Sequence, residues 1–126
     1  MSGFFRRTQA ESETDAIVRN VCDAFRDKFG VEPSVSNDSA PFSFRVYHFD
    51  PRCKCVVIAR RAIDHWTIDV VVQIPREDEV LKGHAVTTDV SYAGAKAAIS
   101  NAIYYGVIVD RVEGKVVRRL GCKRSA

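Results

Sequence analysis

A short segment near the middle of the chain contains four side chains that can bind a metal ion: His48, Asp50, Cys53 and Cys55. Zinc accepts imidazole and thiolate ligands of this kind when a turn brings them together. Closed zinc sites normally take a second pair of ligands, however, and the other two cysteines, Cys22 and Cys122, are isolated. We therefore expect two cysteines on a hairpin and neither a metal nor another cofactor, with zinc binding left as an alternative.

The same segment contains the residue types of a reactive thiol. A cysteine nucleophile needs a base within hydrogen-bond distance and a positive environment that lowers the pKa of its thiol. His48, Arg52 and Lys54 surround Cys53 and Cys55, but no spacing in the sequence pairs one histidine with one cysteine. The chain also lacks the glycine-rich phosphate loops and the Gly-x-Ser-x-Gly motif of hydrolases. We therefore predict that the protein is not an enzyme and assign no catalytic residue; a small Cys/His enzyme is the second alternative.

Basic residues form two clusters in the sequence. The chain has 19 Lys and Arg residues against 16 Asp and Glu residues, a net charge of +3. The central cluster alternates along predicted strands that also carry Tyr47 and Phe49, and the second cluster lies at the C-terminal end. Cations mixed with aromatic rings are typical of surfaces that hold nucleic acid strands. Binding of RNA or DNA is therefore the first alternative function, and its predicted residues are Arg45, Arg52, Lys54, Arg60, Arg61, Lys96, Lys115, Arg118, Arg119, Lys123 and Arg124.

Hydrophobic periodicity predicts a helix and three strands in the first part of the chain. Apolar residues at three- and four-residue steps indicate an amphipathic helix over residues 14–29, capped by Ser12 or Thr14 and stopped by Gly30. Residues 31–40 are rich in turn formers and predict a loop with room for one short edge strand. The period then changes to two, which predicts strands over residues 42–50, 53–60 and 66–74, the first two joined as a hairpin.

The second part of the chain predicts one more helix and up to three strands. Residues 75–83 form an acidic surface loop, residues 84–90 a fourth strand, and residues 92–105 an Ala-rich helix capped by Ser91. Glu113 and Gly114 separate two β-branched runs, which predicts a terminal hairpin over residues 107–120. The predicted fold class is α+β: an antiparallel sheet of four to six strands with two helices, in the order α-β-β-β-(β)-α-β-β. One domain covers residues 13–121, between a flexible N-terminus (1–12) and a basic C-terminal tail (122–126).

The start of the Ala-rich helix resembles part of a known family. Residues 88–98, Thr-Asp-Val-Ser-Tyr-Ala-Gly-Ala-Lys-Ala-Ala, are similar to the junction of the last strand and last helix in double-stranded RNA-binding domains. In that family two lysines after the serine touch phosphate, whereas this chain has Tyr92 and Ala93. Two predicted strands also follow where that domain ends. The order of elements is similar to that of small secretion chaperones, which are generally acidic. The chain is therefore assigned to neither family.

Composition indicates an ordinary globular domain. Apolar residues make up 46% of the chain and charged residues 28%, whereas a disordered chain would be poor in Val, Ile and Phe. No run approaches the roughly 18 to 20 apolar residues that a spanning helix needs, and the N-terminus lacks the apolar core of a secretory signal. We therefore expect no membrane span, a cytoplasmic location and reduced cysteines.

The predicted strands carry apolar residues on both faces, although two helices can cover only one face of a sheet. An uncovered apolar face favours association with another molecule. We therefore predict a non-enzymatic protein-binding or assembly module that docks a protein partner, or a second copy as a homodimer, through an exposed sheet face or edge. The predicted partner-binding residues are Tyr47, Phe49, Val56, Ile58 and Val71.

Overall fold

The computed structural model describes residues 9–37, 42–51, 53–74 and 78–121. These residues form two helices and seven strands, and they confirm the predicted α+β class. The elements in chain order are α1 (Gln9–Phe29), β1 (Ser34–Ser36), β2 (Ser43–Asp50), β3 (Cys53–Arg61), β4 (Trp66–Gln73), β5 (Glu79–Thr87), α2 (Tyr92–Tyr104), β6 (Val107–Asp110) and β7 (Val116–Arg119). Neither helix of the described ranges is long and apolar enough to cross a bilayer.

The seven strands form one antiparallel sheet whose spatial order is the same as their order along the chain. The prediction of four to six strands was therefore too low, and the order has five strands before α2. The strand beyond the six predicted is β1, a three-residue strand in which Val35 pairs with Val46 of β2. Its composition is that of a loop, and only pairing with β2 makes it a strand.

Strand β5 runs from Glu79 to Thr87, so it begins earlier than the predicted fourth strand (84–90) and ends before Val90. Residues 79–83 were expected to belong to an acidic loop. Val80 and Leu81 are both buried although they are neighbours, so β5 starts without the alternation that identifies a strand in a sequence. Leu81 pairs with Val72 of β4 and with Ile108 of β6, and those two neighbours impose the extended conformation.

Helix α1 begins earlier than predicted and ends where predicted. It starts at Gln9, so neither Ser12 nor Thr14 is its N-cap, and Thr14 is instead buried inside the helix. At the other end Gly30 adopts φ 69°, a left-handed conformation that glycine reaches without steric penalty, and its N–H donates to the carbonyl oxygen of Arg26. Gly30 was therefore a sufficient signal for the C-terminal end of α1, whereas the helix begins at residues that precede the apolar stripe.

Helix α2 packs closely on the sheet because its buried side is small. Ser91 caps it as predicted, since its hydroxyl accepts a hydrogen bond from the N–H of Gly94 at 3.2 Å. The buried residues include Ala95, Ala98 and Ala102, which allow the helix backbone to approach β5. The predicted end at Tyr105 is one residue too late, because Tyr105 is the C-cap.

Both helices lie on the same face of the sheet and pack against each other there. In the middle of β2, β3 and β4 the side chains that point to this face are almost completely buried, among them Val46, Val57 and Val70, which are cross-strand neighbours. The rings of Phe44 and Trp66 meet edge to face at 5.9 Å under α1. The core of the domain therefore lies between the helices and this one face.

Candidate docking surface

No helix of the described residues covers the face of the sheet opposite α1 and α2, although Val80 and Val109 at its β5–β6 end are buried. Because side chains alternate between the two faces of a strand, the neighbours of the buried residues point to this second face. We call it the open face. Register places on it Ser43, Arg45, Tyr47, Phe49, Lys54, Val56, Ile58, Arg60, Thr67, Asp69, Val71, Gln73, Val80, Lys82, His84, Val86, Val107, Val109, Val116 and Arg119.

Apolar side chains form a continuous strip across the open face. Tyr47 pairs with Val56 and Val56 pairs with Val71, so three adjacent strands contribute one row. Ile58 lies two residues further along β3, and Phe49, 60% exposed, places its ring 5.0 Å from that of Tyr47. All five residues predicted from the sequence to bind a partner therefore share one surface. We call them the apolar strip.

Cations surround the apolar strip. Arg45, Lys54, Arg60, Lys82 and Arg119 lie on the open face and are all exposed. Lys82 is absent from the predicted site because residues 79–83 were assigned to a loop. Its signal in the sequence is the alternation of Lys82, His84 and Val86, which extends backwards from the predicted fourth strand.

Asp69 is the only carboxylate on the open face as the register defines it, and it has two basic neighbours. Nδ1 of His84 is 2.6 Å from one carboxylate oxygen of Asp69, and the guanidinium of Arg60 is 3.6 Å from the other. An aspartate can orient an imidazole for general-base catalysis in this way. The predicted nucleophile Cys55 is completely buried on the helix face, however, so this pair and that thiol lie on opposite sides of the sheet.

His48 lies on the helix side of β2 and is held by two oxygen atoms. Nε2 is 2.8 Å from Oδ2 of Asp50, and Nδ1 is 3.0 Å from the carbonyl oxygen of Glu32. A carbonyl and a carboxylate oxygen only accept, so both ring nitrogens donate and the imidazole is protonated in this geometry. The hydrogen bond to Asp50 is the main cause that raises the pKa of His48 above its usual 6.5. Although His48 is the cross-strand partner of Cys55, it has no free nitrogen to act as a base for that thiol.

The four candidate metal ligands lie at the end of the β2–β3 hairpin. Asp50 and Cys53 are cross-strand partners, as are His48 and Cys55, but the side chain of Cys53 and all of Cys122 lie outside the described residues. Within the described ranges there is no group of three or more His, Cys, Asp and Glu side chains that could hold a metal ion. Neither Cys22 nor Cys55 is in a disulfide, and burial raises the pKa of the Cys22 thiol.

The eleven residues predicted to bind nucleic acid do not form one surface. Four of them lie on the open face: Arg45, Lys54, Arg60 and Arg119. The remaining described ones are on the helix side of the sheet, on α2 or in the β6–β7 turn: Arg61, Lys96, Lys115 and Arg118. The other three lie outside the described residues: Arg52, Lys123 and Arg124.

Arg61 has a structural role that the sequence did not predict. Its Nε is 2.5 Å from Oε1 of Glu13, and its Nη1 is 2.8 Å from the carbonyl oxygen of Ala62. Nε1 of Trp66 is 3.3 Å from the same glutamate oxygen, so one carboxylate joins α1 to the β3–β4 connection. The hydrogen bond from Arg61 is the main cause that lowers the pKa of Glu13.

The two edge strands of the sheet, β1 and β7, are short, and every residue of β7 is exposed. All four of its residues, Val116–Arg119, are exposed, and Val116 and Val117 are 51% and 54% exposed. An edge of this kind can pair with another strand, although flanking arginines limit that tendency. The open face and this edge are therefore continuous along β7.

Comparison of the chain with protein-family models, curated proteins and solved structures finds no match.

Proposed function

We propose that this protein is a non-enzymatic binding module that docks a polypeptide partner on the open face. The observation that carries the proposal is the apolar strip: Tyr47, Val56 and Val71 form a row that no described element covers, while the opposite face is filled by two helices. Transfer of apolar surface from water into an interface contributes about 25 cal/mol per Å². Binding of a partner that covers the apolar strip is therefore favoured by the hydrophobic effect.

The size of the open face suits a protein interface. Strands β2 to β5 have 8 or 9 residues each. With about 4.8 Å between strands and about 3.3 Å per residue, four such strands cover roughly 19 Å by 27 Å, or about 500 Å² before side-chain relief is added. One partner in a standard protein interface buries about 800 Å² of accessible surface. The open face together with β6 and β7 is of that order.

Nucleic acid is the second candidate, and one arrangement favours it. The Tyr47 and Phe49 rings are 5.0 Å apart, Arg45 lies on the same strand, and Lys54 is the cross-strand partner of Phe49. Aromatic planes next to cations are the elements of single-strand binding surfaces. This patch occupies only the β2 end of the open face, however, and the rest of the apolar strip is aliphatic.

A cytoplasmic location is part of the proposal. The reduced state of Cys22 and Cys55, which form no disulfide, supports a reducing compartment, because cysteines persist as thiols where glutathione and thioredoxin maintain them.

Selection from a random peptide library tests the proposed function. The immobilised full chain should enrich peptides that fail to bind the Val71→Glu variant, because a partner that covers the apolar strip would have to remove a charged carboxylate from water and would lose the apolar contact with Val71. Phe49→Glu, at a 60% exposed position that tolerates charge in the free protein, should give the same loss. Ile63→Glu is the matched control, since Ile63 is 94% exposed in the β3–β4 connection and away from the open face.

If no peptide is enriched, or if the enriched peptides bind the wild type, Val71→Glu and Phe49→Glu equally, the open face is not a docking surface. The same chain is titrated with oligo-dT and oligo-U. Binding of these, lost in Phe49→Glu and in Lys54→Glu, would establish the second candidate instead.

A further inference from the structure

Charge is distributed unequally between the open face and the rest of the molecule. The chain as a whole is close to balanced, with 19 Lys and Arg residues and 16 Asp and Glu residues. The open face carries five cations and one carboxylate, Asp69. The other described acids lie in α1, at strand ends and in the connections between strands. The positive character of the open face therefore follows from the register of the sheet and not from the composition of the chain.

The single acid on the open face does little to offset these cations. Asp69 already interacts with Arg60 and His84 on the two neighbouring strands. Among the described residues no ion pair joins Lys54, Lys82 or Arg119 to an acid. Exposed cations without an acidic neighbour attract negative charge from outside the molecule, and the attraction falls with salt.

Two of these cations continue the row that forms the apolar strip. The row runs Tyr47, Val56, Val71, Lys82, Val107 and Arg119 from β2 to β7. Its first three members are apolar, and its second half alternates between cation and valine. Lys82 and Arg119 are two strands apart, which is about 10 Å, the length of three residues of extended chain.

We propose that the partner on the open face is an acidic polypeptide segment with an apolar anchor. This inference rests on the proposed docking function. The anchor covers the row of Tyr47, Val56 and Val71, and the segment then crosses the strands and places carboxylates at Lys82 and Arg119. Because side chains on one side of an extended segment recur every second residue, those two carboxylates are two or four residues apart, about 7 or 13 Å, and the long side chains of Lys82 and Arg119 span the difference. Complementary charge increases the association rate and sets the direction in which the segment lies.

The same charges argue against two other occupants. A second copy docked face to face would bring five cations against five cations, which is unfavourable for association. A single nucleic acid strand stacks its bases on aromatic planes, and the open face has these only at Tyr47 and Phe49. Between Lys82 and Arg119 the surface is formed by Val107, which offers an apolar side chain and no ring.

Binding of defined polymers to the full chain tests the inference. The probes are a random copolymer of Glu and Tyr, poly-Glu and oligo-dT, measured by fluorescence anisotropy at low and high salt. We expect the copolymer to bind more tightly than poly-Glu, because only the copolymer has an apolar anchor, and to bind about tenfold more weakly at high salt. Lys82→Glu should weaken binding of the copolymer by about tenfold or more, and Lys82→Arg should retain that binding.

Lys28→Glu is the matched control, because Lys28 is exposed in the last turn of α1 and the substitution makes the same charge change away from the open face. Equal effects of Lys82→Glu and Lys28→Glu would overturn the inference, since only net charge would then matter. Neutral or basic peptides from the library that bind the apolar strip, together with no binding of the copolymer, would overturn it while the docking function stands. Binding of oligo-dT alone would overturn both.

Discussion

Gly83 of β5 lies against the backbone of α2, and its replacement by alanine tests the packing of the helix on the sheet. A Cβ at residue 83 would be 1.8 Å from the carbonyl oxygen of Ala102 and 2.5 Å from its carbonyl carbon. Real Cβ atoms essentially never approach another atom closer than 3.0 Å, so α2 must move by more than about 1 Å. The obstacle is backbone, and no side-chain rotation relieves it.

We expect Gly83→Ala to lower the free energy of unfolding by about 3 kcal/mol, the upper part of the range for overpacked cores. For a chain of 126 residues this corresponds to a decrease in Tm of roughly 10 °C. Urea denaturation followed by circular dichroism measures the change. Because the clash is with a carbonyl, the double variant Gly83→Ala, Ala102→Gly should not recover stability, and glycine in α2 should remove about 1 kcal/mol more.

Gly114→Ala separates a steric clash from backbone strain. A Cβ at residue 114 meets nothing within 4 Å, but φ is +73°, so the expected cost is about 1 kcal/mol. If Gly83→Ala is as stable as the wild type, or if Ala102→Gly rescues it, then α2 does not lie against β5 as described, and the boundary between the helix face and the open face would have to be reconsidered.

Two further predictions concern the polar contacts that hold the helix side together. His48→Gln should flatten the dependence of the urea midpoint on pH near neutrality. Because the pKa of His48 is raised in the folded protein, its contribution to stability is fully present below its usual 6.5 and is lost as pH rises through the folded-state pKa. An unchanged pH profile in the variant would contradict the protonated geometry. Arg61→Met should lower the free energy of unfolding by about 1 kcal/mol at neutral pH, because Glu13 keeps its charge without its main partner. Since the pKa of Glu13 is lowered, the difference between Arg61→Met and the wild type should shrink as pH falls below 4.5; a difference that persists there would assign the loss to packing of the arginine stem instead.

Residues of the candidate site could be predicted from the sequence where apolar and polar residues alternate along a strand, and could not be predicted where this alternation is absent. Alternation from Phe42 to Ile74 was enough to group Tyr47, Val56 and Val71, because a period of two assigns each side chain to a face. Lys82 was missed because the adjacent buried pair Val80 and Leu81 conceals the start of β5.

The basic residues show the same limit. Arg60 and Arg61 are neighbours in the sequence and were placed in one nucleic-acid cluster. The pleat of β3 separates them, so that Arg60 lies on the open face beside Asp69 while Arg61 binds Glu13 on the helix side. Sequence distance does not determine which face a side chain joins when the exact limits of a strand are unknown.

The sequence by itself determined the α+β class, the C-terminal end of α1 before Gly30 and the β2–β3 hairpin. It also determined that the strands carry more apolar residues than two helices can cover. These depend on local signals: periodicity, capping and turn residues, which act within a few positions of the chain. Only the tertiary structure decided that β1 pairs with β2, that β5 begins at Glu79, and that Lys82 and Arg119 share a row with the apolar strip. Those outcomes depend on register between strands, which is set by packing across the sheet and has no signature within one segment.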